Sequence, residues 1–310
     1  MPNHPLLVIL GPTACGKTRL AVAVARQIGA EIISADSRQV YRGMDIGTGK
    51  DLSEYTTDNQ TIKHHLIDIA AAGDSYNVSR FQADCVAAMT DIQYRNKRAI
   101  LCGGTGFYIE SVLKNHQFTA LPIDDNLRLD LAQQSTETLQ TLFEQTPSAY
   151  SPLADISTRK RLIRAIEIGQ YLGNNPAPFF PNAAFDFRIV GLDLPVELRR
   201  QRITQRLRER LQNGLIEEVE GLLKSGIPAD QLIFYGLEYK FITQHLLGEF
   251  DHQTLFERLN TAIHQFAKRQ MTFFRKMERD GLPIHWLDAQ KSTDKLTKEV
   301  IGLIGKAETN

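Results

Sequence analysis

The chain has 310 residues, of which 42% are hydrophobic and 23% charged, a composition typical of a globular protein with a sizeable core. Its 36 basic and 36 acidic residues balance, which argues against a globally basic nucleic-acid binder but allows local basic patches. The apolar runs are too short to cross a bilayer, and the three cysteines lack the spacing of a zinc site or a disulfide framework. We therefore expect a cytoplasmic protein that does not contact membranes.

Predicted strands and helices alternate in the first hundred residues. Short apolar runs predict strands at 6–10, 31–35, 65–69 and 98–102. Helices are predicted at 17–28 and at 78–92, where apolar residues recur every three or four positions and Ser79 and Gln82 have the spacing of a capping box. This alternation is typical of an α/β fold in which helices cover a parallel sheet.

Residues 11–18, GPTACGKT, follow the first predicted strand and fit the phosphate-binding pattern G-x-x-x-x-G-K-[ST]. Gly11 and Gly16 let the backbone turn its N–H groups towards phosphates, and Lys17 adds a positive charge. The hydroxyl of Thr18 can bind Mg²⁺, and the positive end of the following helix also favours an anion. The pattern predicts a bound phosphate chain without saying which molecule carries it.

An ATPase would normally have an acid at the tip of a neighbouring buried strand, where it holds Mg²⁺. The strand predicted at 98–102 instead runs into Gly103, Gly104 and Thr105. The nearest acids that follow predicted strands are Asp36, Asp68 and Asp193. This weakens the ATPase interpretation, and it leaves Asp36 either as a general base beside the phosphate loop or as a turn former.

The pattern changes after about residue 116. Helical stretches are predicted at 127–134, 138–145 and 158–172, before a segment rich in Pro and Asn at 173–187. A strand resumes at 188–194, helices follow at 196–213 and 215–224, and a last strand is predicted at 284–287. We therefore predict a core domain made of 1–117 and 188–310, interrupted by a helical insertion at 118–187.

A series of motifs along the chain resembles, in content and order, the bacterial tRNA dimethylallyltransferases. The motifs are GPTACGKT, DSRQVYRGMDIGTGK (36–50), HHLIDI (64–69), YNVSRFQ (76–82), GGTGFY (103–108), RLIRAIE (161–167), GLIEEV (214–219) and FAKRQMTFFR (266–275). The resemblance extends from Val8 to about Trp286. It implies a P-loop NTPase-like core with an inserted helical domain. It also implies transfer of a dimethylallyl group from dimethylallyl diphosphate to N6 of the adenosine 3′ of the tRNA anticodon.

The resemblance also implies roles for individual residues. The diphosphate would be held by the phosphate loop and by a two-arginine lid: Gly11, Thr13, Ala14, Cys15, Gly16, Lys17, Thr18, Arg202 and Arg206. Asp36 would take the proton from N6, Thr105 would hydrogen-bond near the target base, and Mg²⁺ would bind at Thr18. The tRNA anticodon stem-loop would be contacted by Asp36, Ser37, Arg38, Gln39, Thr105, Lys160, Arg161, Leu162, Ile163 and Arg164. We expect the protein to act as a monomer.

Three other functions are compatible with parts of the sequence. An isopentenyltransferase acting on free AMP would share the core, but it would have less need of the basic segment 158–164 in the predicted insertion. A P-loop kinase of a small metabolite would use the same loop for ATP. A non-catalytic RNA-binding module would need the basic patches but neither Asp36 nor Lys17.

Overall fold

A computed structural model describes residues 4–57, 60–175 and 186–308. The chain forms two compact units, one from Met1–Lys114 with Ala184–Asn310 and the other from Asn115–Ala183. Much of the predicted Pro- and Asn-rich segment, 176–185, lies outside the described residues. Within the described ranges, none of the helices is both long and apolar enough to cross a membrane.

The strands of the larger unit are β1 Leu6–Leu10, β2 Ala30–Ser34, β3 Thr56–Thr57, β4 Gln60–Thr61, β5 His64–His65, β6 Arg98–Gly103, β7 Phe187–Asp193 and β8 Ile284–Asp288. Six of them form one parallel sheet in the order β5-β2-β6-β1-β7-β8, and β3 pairs with β4 in an antiparallel ribbon. Since the central strands are parallel, their carboxyl ends lie at one edge of the sheet.

The α-helices, in chain order, are α1 Lys17–Ile28, α2 Val78–Tyr94, α3 Gly106–Leu113, α4 Asp125–Ala132, α5 Thr136–Gln145, α6 Arg159–Asn174, α7 Val196–Gln212, α8 Leu215–Lys224, α9 Ala229–Phe234, α10 Leu237–Leu246, α11 His252–Arg279 and α12 Thr293–Glu308. Helices α4 to α6 belong to the smaller unit and the others to the larger one. A parallel sheet flanked by helices is the predicted fold class, which is thereby confirmed.

Side chains of β1 show how the sheet is covered. All five residues of this strand are buried, as expected for a strand in the middle of a sheet with helices on both faces. Val8 and Leu10 join a core that includes residues of α2, α3, α10 and α11, whereas Leu7 and Ile9 join a core that includes residues of α1 and α12. Alternate side chains thus enter two separate hydrophobic layers.

The smaller unit has its own hydrophobic cluster, formed by Leu131, Leu139, Leu162 and Ile166. Beside this cluster, the buried carboxylate of Glu167 accepts hydrogen bonds from Arg128, Arg164 and the backbone N–H of Asp124. Burial alone would raise the pKa of Glu167, but these donors outweigh that effect and lower the pKa.

Two local predictions were wrong. The strand predicted at 65–69 ends at His65, because Leu66 and Asp68 adopt positive φ angles of 62° and 58° that no β-strand contains. The predicted capping box at Ser79 and Gln82 is replaced by Asn77, whose side chain accepts the N–H of Arg80 at 3.0 Å. The sequence pattern located the helix but misplaced its cap by two residues.

Candidate active site

The loops that follow β1, β2 and β6 meet at the carboxyl edge of the sheet and line a cavity of about 1130 Å³. Residues of helices α7, α10 and α11 also line it. Of the predicted site residues in the larger unit, those that line the cavity are Thr13, Ala14, Gly16, Lys17, Thr18, Asp36, Ser37, Arg38, Gln39, Thr105, Arg202 and Arg206. Gly11 and Cys15 are buried in the phosphate loop.

The phosphate loop has the backbone that an anion site requires. Ala14 and Gly16 adopt positive φ angles of 64° and 87°, and Gly16 is the residue immediately before α1. The first turn of α1 carries Lys17, Thr18 and Arg19 and no acid, so its free N–H groups face the cavity without a competing carboxylate. This geometry favours the binding of a phosphate or diphosphate group.

Cys15 is 3% exposed, and burial raises the pKa of its thiol above the ordinary value despite the nearby positive charge of Lys17. A thiol that stays protonated is a poor nucleophile. Cys15 therefore acts here as a small buried side chain of the loop.

Asp36 and Thr105 reach the cavity from adjacent loops that are bonded to each other. The hydroxyl of Thr105 accepts the N–H of Ser37 at 3.1 Å, and the N–H of Thr105 donates to the carbonyl of Ala35 at 3.2 Å. A Cβ on Gly103 would come within 2.1 Å of that carbonyl, so only glycine permits this approach. The loops after β2 and β6 are held together as one wall.

Among the three acids that follow predicted strands, Asp36 alone lines the cavity. One oxygen of its carboxylate accepts the N–H of Arg38 at 2.9 Å, which fixes the direction of the side chain. Asp68 is bonded to the buried ammonium of Lys50, and Asp193 accepts the N–H of Leu194 at 2.8 Å. The sequence analysis left Asp36 as either a turn former or a group beside the phosphate loop. In the structure its carboxylate forms a turn, and the residue also lines the cavity.

Arg206 lies directly over the phosphate loop, where its guanidinium donates to the hydroxyl of Thr13. Burial, reinforced by the neighbouring charge of Arg210, lowers the pKa of Arg206 to about 10. Within the described ranges no carboxylate forms an ion pair with it. A partly buried cation without an ion pair is well suited to a bound anion, and Arg202, one turn earlier on α7, lines the same cavity.

Arg210 and Glu238 are cavity residues that the sequence analysis missed. Arg210 forms an ion pair with Asp51 at 3.4 Å and packs on Gly49, where a Cβ would come within 2.3 Å of its guanidinium. Burial raises the pKa of Glu238, although Arg210 and Arg206 oppose the effect. The four-residue spacing from Arg206 would have placed Arg210 on the same face of a helix.

Two glutamines connect the walls of the site. The amide of Gln39 accepts from the hydroxyl of Ser34 at 2.8 Å and donates to the carbonyl of Gly49 at 3.0 Å. Gln270, on α11, accepts the N–H of Thr13 at 2.9 Å and donates to the carbonyl of Gly104 at 2.9 Å. Gln270 was also missed, although it lies in the motif FAKRQMTFFR.

Glu218 fixes a further part of the cavity wall. Its carboxylate accepts the backbone N–H groups of Asp45, Ile46 and Gly47 at 2.7 to 3.0 Å, and the hydroxyl of Tyr239 at 2.7 Å. Gly47 and the residues after it line the cavity. The motif GLIEEV thus contributes an anchor for the segment DIGTGK.

The five residues predicted on α6 have different environments within the smaller unit. Leu162 is 2% exposed and Ile163 packs against the same hydrophobic cluster. Arg164 donates to Glu167 and to the carbonyls of Leu121 and Pro122. Lys160 and Arg161 are exposed, and Arg161 forms an ion pair with Asp155 at 2.7 Å.

The cavity contains oxygen donors that suit a divalent cation. In the part of the chain that is described, no cluster of three or more His, Cys, Asp and Glu residues could hold a metal by itself. The cavity does offer the hydroxyl of Thr18 and the carboxylates of Asp36 and Glu54. Oxygen groups of these kinds are ones that Mg²⁺ uses, commonly one or two from the protein together with substrate phosphates and water.

A family model described as IPP transferase matches residues 39–277. The chain is similar to tRNA dimethylallyltransferase 1 of Porphyromonas gingivalis, with 53% identity over 301 residues that cover 96% of this chain and 98% of the relative. It is also similar to tRNA dimethylallyltransferase 2 of Bacteroides fragilis, with 49% identity over 93% of this chain and 94% of the relative.

Solved structures show the same fold. A tRNA isopentenylpyrophosphate transferase from Bacillus halodurans gives a TM-score of 0.71 at 29% identity and covers 98% of this chain and 96% of its own. A eukaryotic dimethylallyltransferase acting on tRNA gives a TM-score of 0.70 at 23% identity, over 92% of this chain and 74% of its own. The P-loop NTPase-like core predicted from the sequence is confirmed by these similarities.

Proposed function

The chain belongs to the IPP transferase family, and on that premise we propose that it transfers a dimethylallyl group from dimethylallyl diphosphate to tRNA. The acceptor atom is N6 of the adenosine 3′ of the anticodon, and diphosphate is released. The observation that carries the proposal is that the phosphate loop, Arg206 and Asp36 line one and the same cavity.

The phosphate loop and the arginines act on the leaving group. The bond between the allylic carbon and the diphosphate oxygen breaks, and negative charge accumulates on the diphosphate. Lys17, the N–H groups at the start of α1, and Arg206 above Thr13 are positioned to stabilise that charge. Since Arg206 is partly buried and forms no ion pair within the described ranges, a bound diphosphate would supply a direct counter-charge.

Asp36 acts on the nucleophile. The lone pair of N6 is delocalised into the adenine ring, so N6 attacks well only as its proton is removed. We assign proton acceptance to the carboxylate of Asp36, one oxygen of which is oriented by the N–H of Arg38. The Thr105 hydroxyl, held by Ser37, is assigned the hydrogen bond that orients the base. The carbon–nitrogen bond forms on N6, and the proton passes to Asp36.

The Thr18 hydroxyl, together with a cavity carboxylate, would hold Mg²⁺ against the diphosphate. Bound there, Mg²⁺ would neutralise part of the charge on the leaving group. This assignment rests on the donor set described above and on the position of Thr18 in the cavity.

We assign the contact with the tRNA anticodon stem-loop to the loop after β2 and to the helical unit, which we propose is an inserted domain for RNA binding. In the larger unit the proposed contact residues are Asp36, Ser37, Arg38, Gln39 and Thr105, all of which line the cavity. On α6, the exposed Lys160 and Arg161 can reach phosphates, whereas Leu162 and Arg164 act inside the unit. We propose that the protein works as a monomer in the cytoplasm, where its tRNA substrate occurs.

A transfer assay tests the proposed function. Purified protein, Mg²⁺ and labelled dimethylallyl diphosphate are incubated with unmodified tRNA or with free AMP. We expect label in tRNA, and a loss of about 10²- to 10⁴-fold in kcat for Asp36→Ala. The control is Asp193→Ala, which changes an acid outside the cavity and leaves kcat within about twofold of wild type.

The other outcomes select among the alternatives. Label in AMP but not in tRNA would retain the chemistry and overturn the acceptor. Label in neither, with ATP consumed on addition of small metabolites, would favour a kinase. RNA binding without any transfer would favour a non-catalytic module.

A further inference from the structure

Phe234 is a large aromatic residue exposed beside the cavity. It is the last residue of α9 and is 74% exposed, whereas its neighbours Ile233 and Gly236 line the cavity. Leaving a phenylalanine ring in water is unfavourable, and large exposed apolar side chains often mark contact sites. The position of Phe234 next to the cavity suggests that its contact is with a substrate.

The turn that carries Phe234 is firmly held. The adjacent Tyr235 is buried, its hydroxyl accepts the N–H of Gly73 at 2.7 Å and donates to the carbonyl of Asp74 at 3.1 Å, and its ring packs on Tyr41. Leu232, two residues before Phe234, is completely buried. Phe234 is therefore exposed on a backbone segment that is held in place by buried residues on both sides.

The surroundings of Phe234 are cationic. The guanidinium carbon of Arg38 lies 6.0 Å from the centre of the Phe234 ring, and the backbone N–H of Arg38 is bonded to Asp36. Lys240, which follows on α10, also lines the cavity, and its ammonium lies 5.7 Å from the centre of the Phe241 ring. An exposed ring beside an arginine, at the margin of a cavity that also contains Lys240, matches an unstacked nucleobase better than an apolar peptide.

We propose that Phe234 and Arg38 form a stacking platform for an unpaired nucleobase of the acceptor RNA, adjacent to the nucleotide that enters the cavity. This inference rests on the proposed function. A nucleotide whose N6 is modified must leave the stack of the anticodon loop, so its neighbours lose a stacking partner. An aromatic ring immediately outside the cavity replaces that partner, as RNA-binding proteins commonly do for unstacked bases.

Substitutions that separate aromatic stacking from apolar contact test the proposal. Transfer kinetics are measured for Phe234→Ala, Phe234→Leu and Phe234→Tyr with an anticodon stem-loop RNA and with dimethylallyl diphosphate. For Ala and Leu we expect KM for the RNA to rise roughly tenfold, a typical loss for one base stacked on an aromatic ring. Tyr is expected to match wild type, and KM for dimethylallyl diphosphate stays unchanged in all three.

Tyr94→Ala is the matched control, since Tyr94 is 81% exposed at the end of α2 and does not line the cavity. A complementary series places an abasic nucleotide at each loop position that flanks the target adenosine. When the abasic nucleotide is at the stacked position, we expect KM for the RNA to rise for wild type and for Phe234→Tyr. With that RNA, wild type and Phe234→Ala should have the same KM.

The outcomes distinguish this inference from the proposed function. If wild type modifies the RNA and Phe234→Leu keeps the wild-type KM, the ring does not stack on a base and the inference is wrong. A rise in KM for dimethylallyl diphosphate alone would also overturn it. Failure of wild type to modify any RNA would overturn the proposed function, and the inference with it.

Discussion

Gln270 shows how a single side chain can connect the two halves of the reaction. Its amide oxygen is bonded to the phosphate loop at Thr13, and its amide nitrogen to the loop that carries Thr105. Both bonds are 2.9 Å long, and the side chain is buried. The phosphate loop and the loop of Thr105, to which we assign the leaving group and the acceptor base, are therefore joined by one amide.

Gln270→Ala is predicted to lower kcat/KM for dimethylallyl diphosphate by about 5- to 150-fold. The change leaves the N–H of Thr13 and the carbonyl of Gly104 without their partner, and an unsatisfied buried group costs about 1–3 kcal/mol. Steady-state transfer kinetics measure the effect. Gln270→Glu should be impaired as well, because a carboxylate cannot donate to a carbonyl. Gln265→Ala, an exposed glutamine on the same helix, serves as the control.

At the residue scale, most of the site residues predicted in the larger unit line the cavity, but other cavity residues that hold them in place, such as Gln270, were missed. The phosphate loop and Asp36 were found from their own sequence patterns, whereas the roles of Thr105, Arg202 and Arg206 came from the resemblance to the tRNA dimethylallyltransferases. Gln270 lies more than 250 positions from its partner Thr13, so local spacing contains no signal for that contact. Only the folded chain brings the two together.

At the scale of elements, Glu218 on α8 acts as an anchor for a loop that is distant from it in sequence. Its carboxylate accepts hydrogen bonds from the three successive backbone N–H groups of residues 45–47. It therefore resembles an anion bound in a backbone nest. Tyr239 on α10 completes the contact. Two helices thereby determine where a stretch of cavity wall lies.

Glu218→Ala is predicted to destabilise the protein by at least about 1.5–3 kcal/mol, the range for one hydrogen bond to a charged group. It should also raise KM for both substrates, since the segment 47–49 lines the cavity. Urea unfolding and steady-state kinetics measure the two effects. Glu217→Ala, the exposed neighbour on the same helix, should change neither. Equal effects of the two substitutions would contradict the anchoring role.

Glu167 gives a pH-dependent prediction for the helical unit. Its folded pKa is lowered below the ordinary value of 4.5, so its stabilising effect is present above about pH 4.5 and is lost as the pH falls through the lowered value. We expect Glu167→Gln to cost about 2–3 kcal/mol at pH 7, less than a fully buried ion pair because its arginine partners are partly exposed. The difference from wild type should shrink in acid.

Urea unfolding followed by circular dichroism at pH 7 and at lower pH measures this effect. Asp155→Asn is the control, because the exposed pair of Asp155 with Arg161 should contribute no more than about 1 kcal/mol. A pH-independent difference between wild type and Glu167→Gln would contradict the assignment.

The helices and buried strands were predictable because apolar periodicity is a local property, and β1, β6, α1 and α2 all lie where the pattern indicated. The strand predicted at 65–69 failed because HLIDI has the apolar content of a strand, while the tertiary bonds of Asp68 to Lys50 require a turn. The resemblance led us to expect a tRNA contact from Lys160 to Arg164, and for the exposed Lys160 and Arg161 this stays a prediction. Arg164 and Glu167 bond to each other inside the helical unit, and no local pattern distinguishes that arrangement from an exposed one.

At the scale of the whole molecule, the zero net charge has a consequence for RNA binding. With 36 acidic residues balancing 36 basic ones, attraction to a polyanion must come from local groups of cations and should be sensitive to salt. On α6 the exposed members are Lys160 and Arg161. A few phosphate contacts should therefore account for a measurable share of the affinity.

The double substitution Lys160→Glu with Arg161→Glu is predicted to weaken binding of the anticodon stem-loop. It should also reduce the slope of log K against log salt by about 1 for each phosphate group that the variant no longer neutralises. Fluorescence anisotropy across a series of salt concentrations measures the slope. Lys295→Glu with Lys298→Glu makes the same change of charge on α12 and should leave the slope near the wild-type value. Equal slopes for the two double variants would show that Lys160 and Arg161 on α6 do not contact RNA phosphates.

The buried cysteine in the phosphate loop has a consequence for how the enzyme can be inhibited. A thiol next to a lysine in a phosphate-binding loop would normally be open to covalent inhibitors and to oxidation. Here burial keeps Cys15 protonated, and burial likewise raises the pKa of the neighbouring Cys102 thiol to about 12. Electrophilic drugs and peroxide should therefore leave this loop untouched, and inhibitors of the site will have to rely on reversible, anion-like binding.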